Sequence, residues 1–203
     1  MFIVSEFEEV VKVQPTHLED DQMSRIIIHL NSMLANKVVM DVGLCLSLFD
    51  ILEIGDSIIY PSEGAYFSKV RFRFVVFRPF VEEILIGKVK SSSSDGAVLT
   101  TGFFEDIFVP AANMQNPSRF DTKDKVWVWE YDNCGDTVEL HMDIGETVRF
   151  RVVSEQFVDT HPGVDSGLLD TGEIATSKSK SPYSIVGTVR EPGLGVIGWW
   201  TDL

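Results

Sequence analysis

The sequence predicts an α+β half followed by an all-β half. Three observations carry this. One helical stripe, between Thr16 and Leu34, stands in a chain that otherwise alternates with period two. A proline, Pro79, interrupts the long apolar run KVRFRFVVFRPFVEEILIGKV. Beyond it no further helical pattern appears, only short alternating runs separated by turn residues.

The elements follow in order. FIVSEFEEVVKV alternates loosely and is stopped by Pro15. THLE then reads as a capping box, Thr16 with Glu19 three residues on, and Asp20 and Asp21 suit a helix N-terminus. Met23, Ile26, Ile27, Leu30, Met33 and Leu34 make one apolar stripe that packs on a sheet. VVMDVGLCLSLFDI returns to period two. Val38, Met40, Val42, Leu44, Leu46 and Leu48 share one face of a long strand. EIGD is expected to be a turn, SIIYP a short strand and SEGA another turn. Val70, Phe72, Phe74 and Val76 oppose Arg71 and Arg73 on a strand with one wetter side. Proline gives no ladder hydrogen bond, so Pro79 marks a junction. The expected domains are 1–79, ordered β-α-β-β-β, and 80–203.

In the second half, VEEILIGKV alternates afresh and SSSSDG is a hairpin loop. AVLTTGFFEDIFVP is bent near Gly102, NMQNPSRF is a connection, and KVWVWEY and VELHM flank the DNCGD turn. ETVRFRVVSEQFVD and YSIVGTVREPGLGVIGWW complete the set. About five strands with one longer connector describe an OB-fold barrel. Residues 160–182, rich in Gly, Ser, Thr and Asp, are expected to be a disordered insert in the last hairpin. Trp127, Trp129 and Tyr131 oppose Val126, Val128 and Glu130, and burial favours the bulky set inside the barrel.

Charge limits the function. The 203 residues carry a net charge of −14, which argues against a free-standing nucleic-acid binder. Residues 80–203, with 20 acids and 10 bases, are the more acidic part. No apolar run is long enough for a membrane helix, and the N-terminus lacks a secretory signal. The two cysteines, Cys45 and Cys134, are expected to be free thiols in a reducing compartment. His17, His29, His141 and His161 have no ligand-spaced partner, Asp41 and Asp50 are better read as a solvated strand edge than a metal site, and no catalytic set, metal or cofactor is expected. Sparse bases and aromatics form the candidate RNA surface: Lys88, Lys90, Arg149 and Arg151 for phosphates, with Phe103 or Phe104, and Trp127 and Trp129 should they face outward, for stacking. Phe103 and Phe104 are neighbours on an extended chain, so one of them is expected to be exposed.

LANKVVMDVGLCLSLFDI, VRFRFVVFRPFVEEILIGKVK, GFFEDIFVP, VWVWEY, RFRVVSEQFVDT and EPGLGVIGWW together resemble the larger subunit of the RNA polymerase III stalk. This family is related to the stalk subunits of RNA polymerases I and II and of archaea. The resemblance runs from near residue 2 to Trp200 and departs at the 160–182 insert and the final TDL. It implies a truncated ribonucleoprotein-like tip domain before the OB barrel. It further implies a non-catalytic nuclear subunit that pairs with a smaller helical stalk partner and docks on the polymerase core near the clamp. There it would meet initiation factors and nascent RNA during synthesis of small RNAs such as tRNA and 5S rRNA. Core docking is expected through the loops at 52–67, with Gly55, Pro61, Gly64 and Phe67 as candidates, and single-stranded RNA contact is expected to be weak. Two competing readings are a free RNA-binding OB protein of translation or RNA decay, and an acidic metal-dependent hydrolase.

Overall fold

The structure, a computed structural model, describes residues 1–17, 21–60, 64–133, 136–159 and 181–200. It divides into two compact units, Met1–Arg78 and Pro79–Leu203. The first contains β1 (Phe2–Val13), α1 (Gln22–Leu34), β2 (Lys37–Val39), β3 (Gly43–Ile59) and β4 (Tyr66–Phe77). The strands form one antiparallel sheet in the order β1-β4-β3-β2. The alternation of β4 explains it. Val70, Phe72, Phe74 and Val76 are fully buried and meet Ile26 and Leu30 of α1 in the core. On the other face Lys69 pairs with Glu8 at 2.7 Å, Arg71 with Glu6 and Glu53, and Arg73 with Asp50. Apolar burial drives one face together, while the cross-strand ion pairs fix which residues sit opposite on the other.

Three local expectations for this unit are corrected. The helix is capped by Asp21, not by Thr16: the Asp21 carboxylate accepts from the Ser24 amide at 3.0 Å and the Ser24 hydroxyl at 2.8 Å. Pro15–His17 is instead a short 3-10 turn, and Glu19 lies outside the described residues. The apolar stripe is wider than its contact with the sheet: Ile26 and Leu30 are buried, whereas Met23 and Ile27 are exposed. The strand break is displaced as well. Met40–Val42 forms a hairpin turn, with Asp41 at φ 59°, whereas EIGD lies inside β3. β3 shows four register shifts against β4, and Gly55 sits at the last of them. A lone glycine in a strand marks a bulge as readily as a turn. The two displacements offset each other, so the β-α-β-β-β order stands.

The second unit contains β5 (Ile84–Ser93), β6 (Gly96–Thr100), β7 (Ile107–Pro110), β8 (Ser118–Asp121), β9 (Val126–Asn133), β10 (Asp136–Met142), β11 (Thr147–Phe157), β12 (Tyr183–Thr188) and β13 (Gly195–Val196). β5, β6, β7, β12 and β11 pair in that order and β11 returns to β5, closing a five-stranded barrel. The β7–β12 pairing is parallel and the other barrel pairings are antiparallel, the arrangement of an OB fold. Leu85, Val89, Leu99, Ile107, Val109, Val148, Phe150, Val152 and Ile185 fill the interior.

β8, β9 and β10 are not barrel strands. They form a separate three-stranded sheet inserted between β7 and β11, and SRF, expected to be part of a connection, is its edge. Both faces of β9 are covered: Val126, Trp127, Val128 and Trp129 are all buried, so neither set is the outward one. The Trp127 indole N–H donates to the Ser93 carbonyl at 3.0 Å, and Trp129 packs on Trp199 and Trp200. A strand between two packed layers has no solvent face, which alternation alone does not show. Of the expected 160–182 insert, residues 160–180 lie outside the described residues. At its flanks the Val158 amide donates to the Pro182 carbonyl, and Phe157 stacks on Tyr183 with ring centroids 4.5 Å apart.

Gly96 and Gly102 give a paired test of the barrel's packing. A Cβ at Gly96 would lie 2.1 Å from the Val109 carbonyl oxygen, whereas one at Gly102, φ +95°, meets nothing within 4 Å. Gly102→Ala is expected to cost about 1–2 kcal/mol, from backbone strain alone. Gly96→Ala is expected to cost at least about 2 kcal/mol more. Urea unfolding of the two variants measures the difference, and equal losses would contradict the assigned β6–β7 approach.

Candidate functional site

The outer surface of the barrel decides how much RNA contact its cations can support. Lys88 lies between Thr147 of β11 and Thr100 of β6, exposed, and its ammonium has no ion-pair partner among the described residues. The other three candidate cations are engaged. Lys90 pairs with Glu105 at 2.5 Å. Arg149 donates to the Gly193 carbonyl at 3.2 Å. Arg151 bridges Glu82 at 2.9 Å and Glu191 at 2.7 Å, and the Glu82 hydrogen bond leads in holding its guanidinium above the usual range. A phosphate at Arg151 would have to displace two carboxylates. Arg190, absent from the sequence-based candidates, is exposed beside Gln115, Asn116 and Trp127 with no side-chain partner among the described residues. It lies in a loop, where no strand alternation signals its direction.

The aromatic candidates narrow in the same way. Phe103 is 43% exposed while Phe104 is buried against Tyr183, with ring centroids 5.4 Å apart. Trp127 and Trp129 are buried, so neither indole offers a face for a base. Lys88, with no ion-pair partner among the described residues, and Phe103, partly exposed, are thus the candidates that remain at the surface. Lys88 lies in a shallow groove with Ile86, Thr100, Thr101, Gly102 and Thr147, and Phe103 directly follows that groove in the chain.

The docking candidates of the first unit are dispersed. Gly55 is part of β3, where a Cβ would sit 3.1 Å from the Lys69 carbonyl oxygen. Gly64, at φ +66°, leads into β4, and Pro61 lies outside the described residues. Phe67 is half-buried, edge-on to Tyr60 at 5.2 Å and under the Lys12 ammonium at 5.4 Å. Beside it Ile58, Ile59 and Tyr60 are all more than half exposed at the end of β3. Their signal was present in the sequence: consecutive large apolar residues on a two-faced strand cannot all point to one core.

Polar chemistry here is structural. Arg73 holds Asp50 through two hydrogen bonds and thereby lowers its carboxyl below the usual range. Asp41 sits in the β2–β3 turn. Among the described residues no group of three or more His, Cys, Asp or Glu is placed to hold a metal ion. Burial pushes the Cys45 thiol up to about 11.

Comparison with known proteins adds an independent line. The family profile described as RNA polymerase III subunit Rpc25 matches residues 83–200. The profile described as the SHS2 domain found in the N terminus of Rpb7p/Rpc25p/MJ0397 matches residues 8–64. The chain is 46% identical over 203 residues to DNA-directed RNA polymerase III subunit RPC8 of Bos taurus, covering all of both chains. It is 33% identical over 202 residues to the rpc8 subunit of Schizosaccharomyces pombe, covering 98% of this chain and 100% of the relative. At 21% identity over 207 residues it also aligns with DNA-directed RNA polymerase subunit Rpo7 of Saccharolobus solfataricus, covering 100% and 98%.

The ion-pair assignment predicts a contrast between two neighbouring cations. Arg151→Ala leaves Glu82 and Glu191 without their shared partner and is expected to lower the urea midpoint of the chain. Lys88→Ala is expected to stay within about 0.5 kcal/mol of the parent. Urea midpoints of the two variants check this.

Proposed function

The chain belongs to the Rpc25 family of RNA polymerase III subunits, and from that premise we propose that it acts in the nucleus as the larger, non-catalytic subunit of the polymerase stalk. In this role it pairs with a smaller helical subunit and docks on the polymerase core near the clamp. It supports initiation, with its factors, and touches nascent RNA in the synthesis of tRNA, 5S rRNA and similar products. The observation that favours this over a free RNA-binding protein is the state of the barrel's cations. With Lys90, Arg149 and Arg151 already engaged, few phosphate contacts remain to a chain of net charge −14. Large apolar residues, in contrast, are exposed in both units: Ile58, Ile59 and Tyr60 in the first, Phe80, Val81, Ile84 and Ile86 in the second. Exposed apolar groups concentrated in this way fit subunit contacts. Docking on the core is assigned to the end of the first sheet, where Ile58, Ile59 and Tyr60 join Gly55, Gly64 and Phe67 of the sequence-based set.

Affinity purification of the tagged chain at native level is expected to recover the polymerase III core and a smaller stalk partner. Recovery of translation or RNA-decay factors instead would favour the free RNA-binding reading. Ile59→Asp is expected to reduce core recovery several-fold while the smaller partner stays bound.

RNA binding by the purified heterodimer is expected to be weak, with a salt slope of about one to two counterions. Lys88→Ala should lower the slope, and Phe103→Ala should remove about 1–3 kcal/mol of stacking. Titration of labelled oligouridine across a salt series measures both. Submicromolar binding that survives both substitutions would place the RNA path elsewhere.

A further inference from the structure

A pocket of about 380 Å³ opens where the barrel meets the inserted sheet. Met114, Gln115, Asn116 and Ser118 line it from the segment between β7 and β8, Trp127 from β9, and Arg190 from the loop after β12. Hydrogen bonds tie these stretches together. The Asn113 side chain donates to the Gly187 carbonyl at 3.1 Å, and the Asn113 carbonyl accepts from the Val189 amide at 2.9 Å and the Thr188 hydroxyl at 3.1 Å. The Thr188 hydroxyl oxygen accepts in turn from the Arg190 amide at 3.3 Å. The Gln115 side chain donates to the carbonyls of Glu191 at 3.2 Å and Leu194 at 3.1 Å. The walls are therefore held in place without a ligand, as in a pre-formed site.

The polar groups that these bonds leave over identify the ligand. Gln115 is only 7% exposed. Its two N–H groups are fixed by two carbonyls, so the remaining Oε1 is an acceptor and nothing else. That oxygen has no partner among the described residues and is not sealed from solvent, so it opens to the pocket that Gln115 lines. The Asn116 amide, the Ser118 hydroxyl and the exposed Arg190 guanidinium also have no side-chain partner among the described residues. No carboxylate lines the pocket, although it lies in the more acidic half of the chain. One fixed acceptor, one amide able to give and accept, and one planar cation suit a nucleotide. The base has edge N–H groups for Gln115 and acceptors for Asn116, and its phosphodiester meets Arg190. Met114 and the edge of Trp127 form an apolar wall beside it. An acidic protein side chain would satisfy Arg190 but would set a carboxylate oxygen against the Gln115 acceptor, leaving both without a proton to share.

We propose that this pocket takes one unpaired nucleotide of RNA, reading the base edge through Gln115 and Asn116 and the phosphate through Arg190. This rests on the reading that the barrel touches RNA, and adds to it a contact that distinguishes a base, apart from the Lys88 groove. The test uses the purified heterodimer and labelled oligouridine across a salt series. Arg190→Ala, a change at an exposed loop side chain, is expected to keep the parent's far-ultraviolet spectrum and to lower the salt slope by about one. An oligomer of 3-methyluridine carries the same charge but lacks the N3–H donor that Gln115 would accept. It is expected to bind the unaltered protein about three- to tenfold more weakly than oligouridine. Equal binding of the two oligomers, or an unchanged slope in Arg190→Ala, would overturn the proposal. Uridine monophosphate is expected to bind about tenfold more weakly than the oligomer, since it lacks the neighbouring contacts of a chain. Equal affinity would assign the pocket to a free nucleotide instead. Loss of polymerase core recovery in Arg190→Ala, with RNA binding unchanged, would give the pocket to a protein segment and also overturn the proposal. If the heterodimer binds no RNA at all, the RNA reading falls; if it binds RNA with indifference to Arg190 and to the N3–H group, only the pocket does.

Discussion

β4 is paired along its whole length on both sides, with β1 on one and β3 on the other. The first unit is organised by that constraint. A strand with no free edge can express its chemistry only through its two faces, so its alternation has to be strict. Phe72 and Phe74 go to the helix side, and Arg71 and Arg73 go to the ion pairs with Glu6, Glu53 and Asp50. The apolar face positions α1, and the charged face fixes the register of both neighbours, since a one-residue slip would exchange the two. β11 has the matching position in the second unit. It pairs with β5, β12 and β13, so the barrel closes through it, and its Val148, Phe150 and Val152 point into the core.

Such strict strands were the parts most legible in the sequence. β4, β5, β11 and the Ser94–Asp95 hairpin follow from alternation and turn chemistry, and α1 follows from its apolar stripe. What alternation could not show was where a strand bends without ending. Four bulges let β3 run through Gly55, and a hairpin at Asp41 hid inside a sequence that kept its period of two. Nor does it tell a barrel strand from a strand of an inserted sheet. Val126 and Val128 of β9 are buried as well as Trp127 and Trp129, and what covers the tryptophan face lies in Ser93 and Trp199, far along the chain.

The candidate RNA surface was less legible for a related reason. Sequence spacing showed that Arg149 and Arg151 share a face, and it correctly separated Phe103 from Phe104. It could not show that Glu82 and Glu191 converge on Arg151. In an acidic domain each cation is surrounded by carboxylates that can reach it, so the number of free cations falls well below the number present. Arg190 has no side-chain partner among the described residues although Glu191 follows it in the chain, because that carboxylate is turned to Arg151.

All four tryptophans belong to the second unit, and three of them, Trp129, Trp199 and Trp200, have ring centroids within 5.9 Å of one another through Trp129. The Trp199 N–H donates to the His141 carbonyl and the Trp200 N–H to the Leu194 carbonyl. Indole fluorescence excited at its red edge is therefore blind to the first unit, whose aromatics are phenylalanine and tyrosine. The emission follows the inserted sheet and the C-terminal turn, while the far-ultraviolet signal sums both units. The two signals separating during unfolding would mark independent melting of the two halves, with no added label.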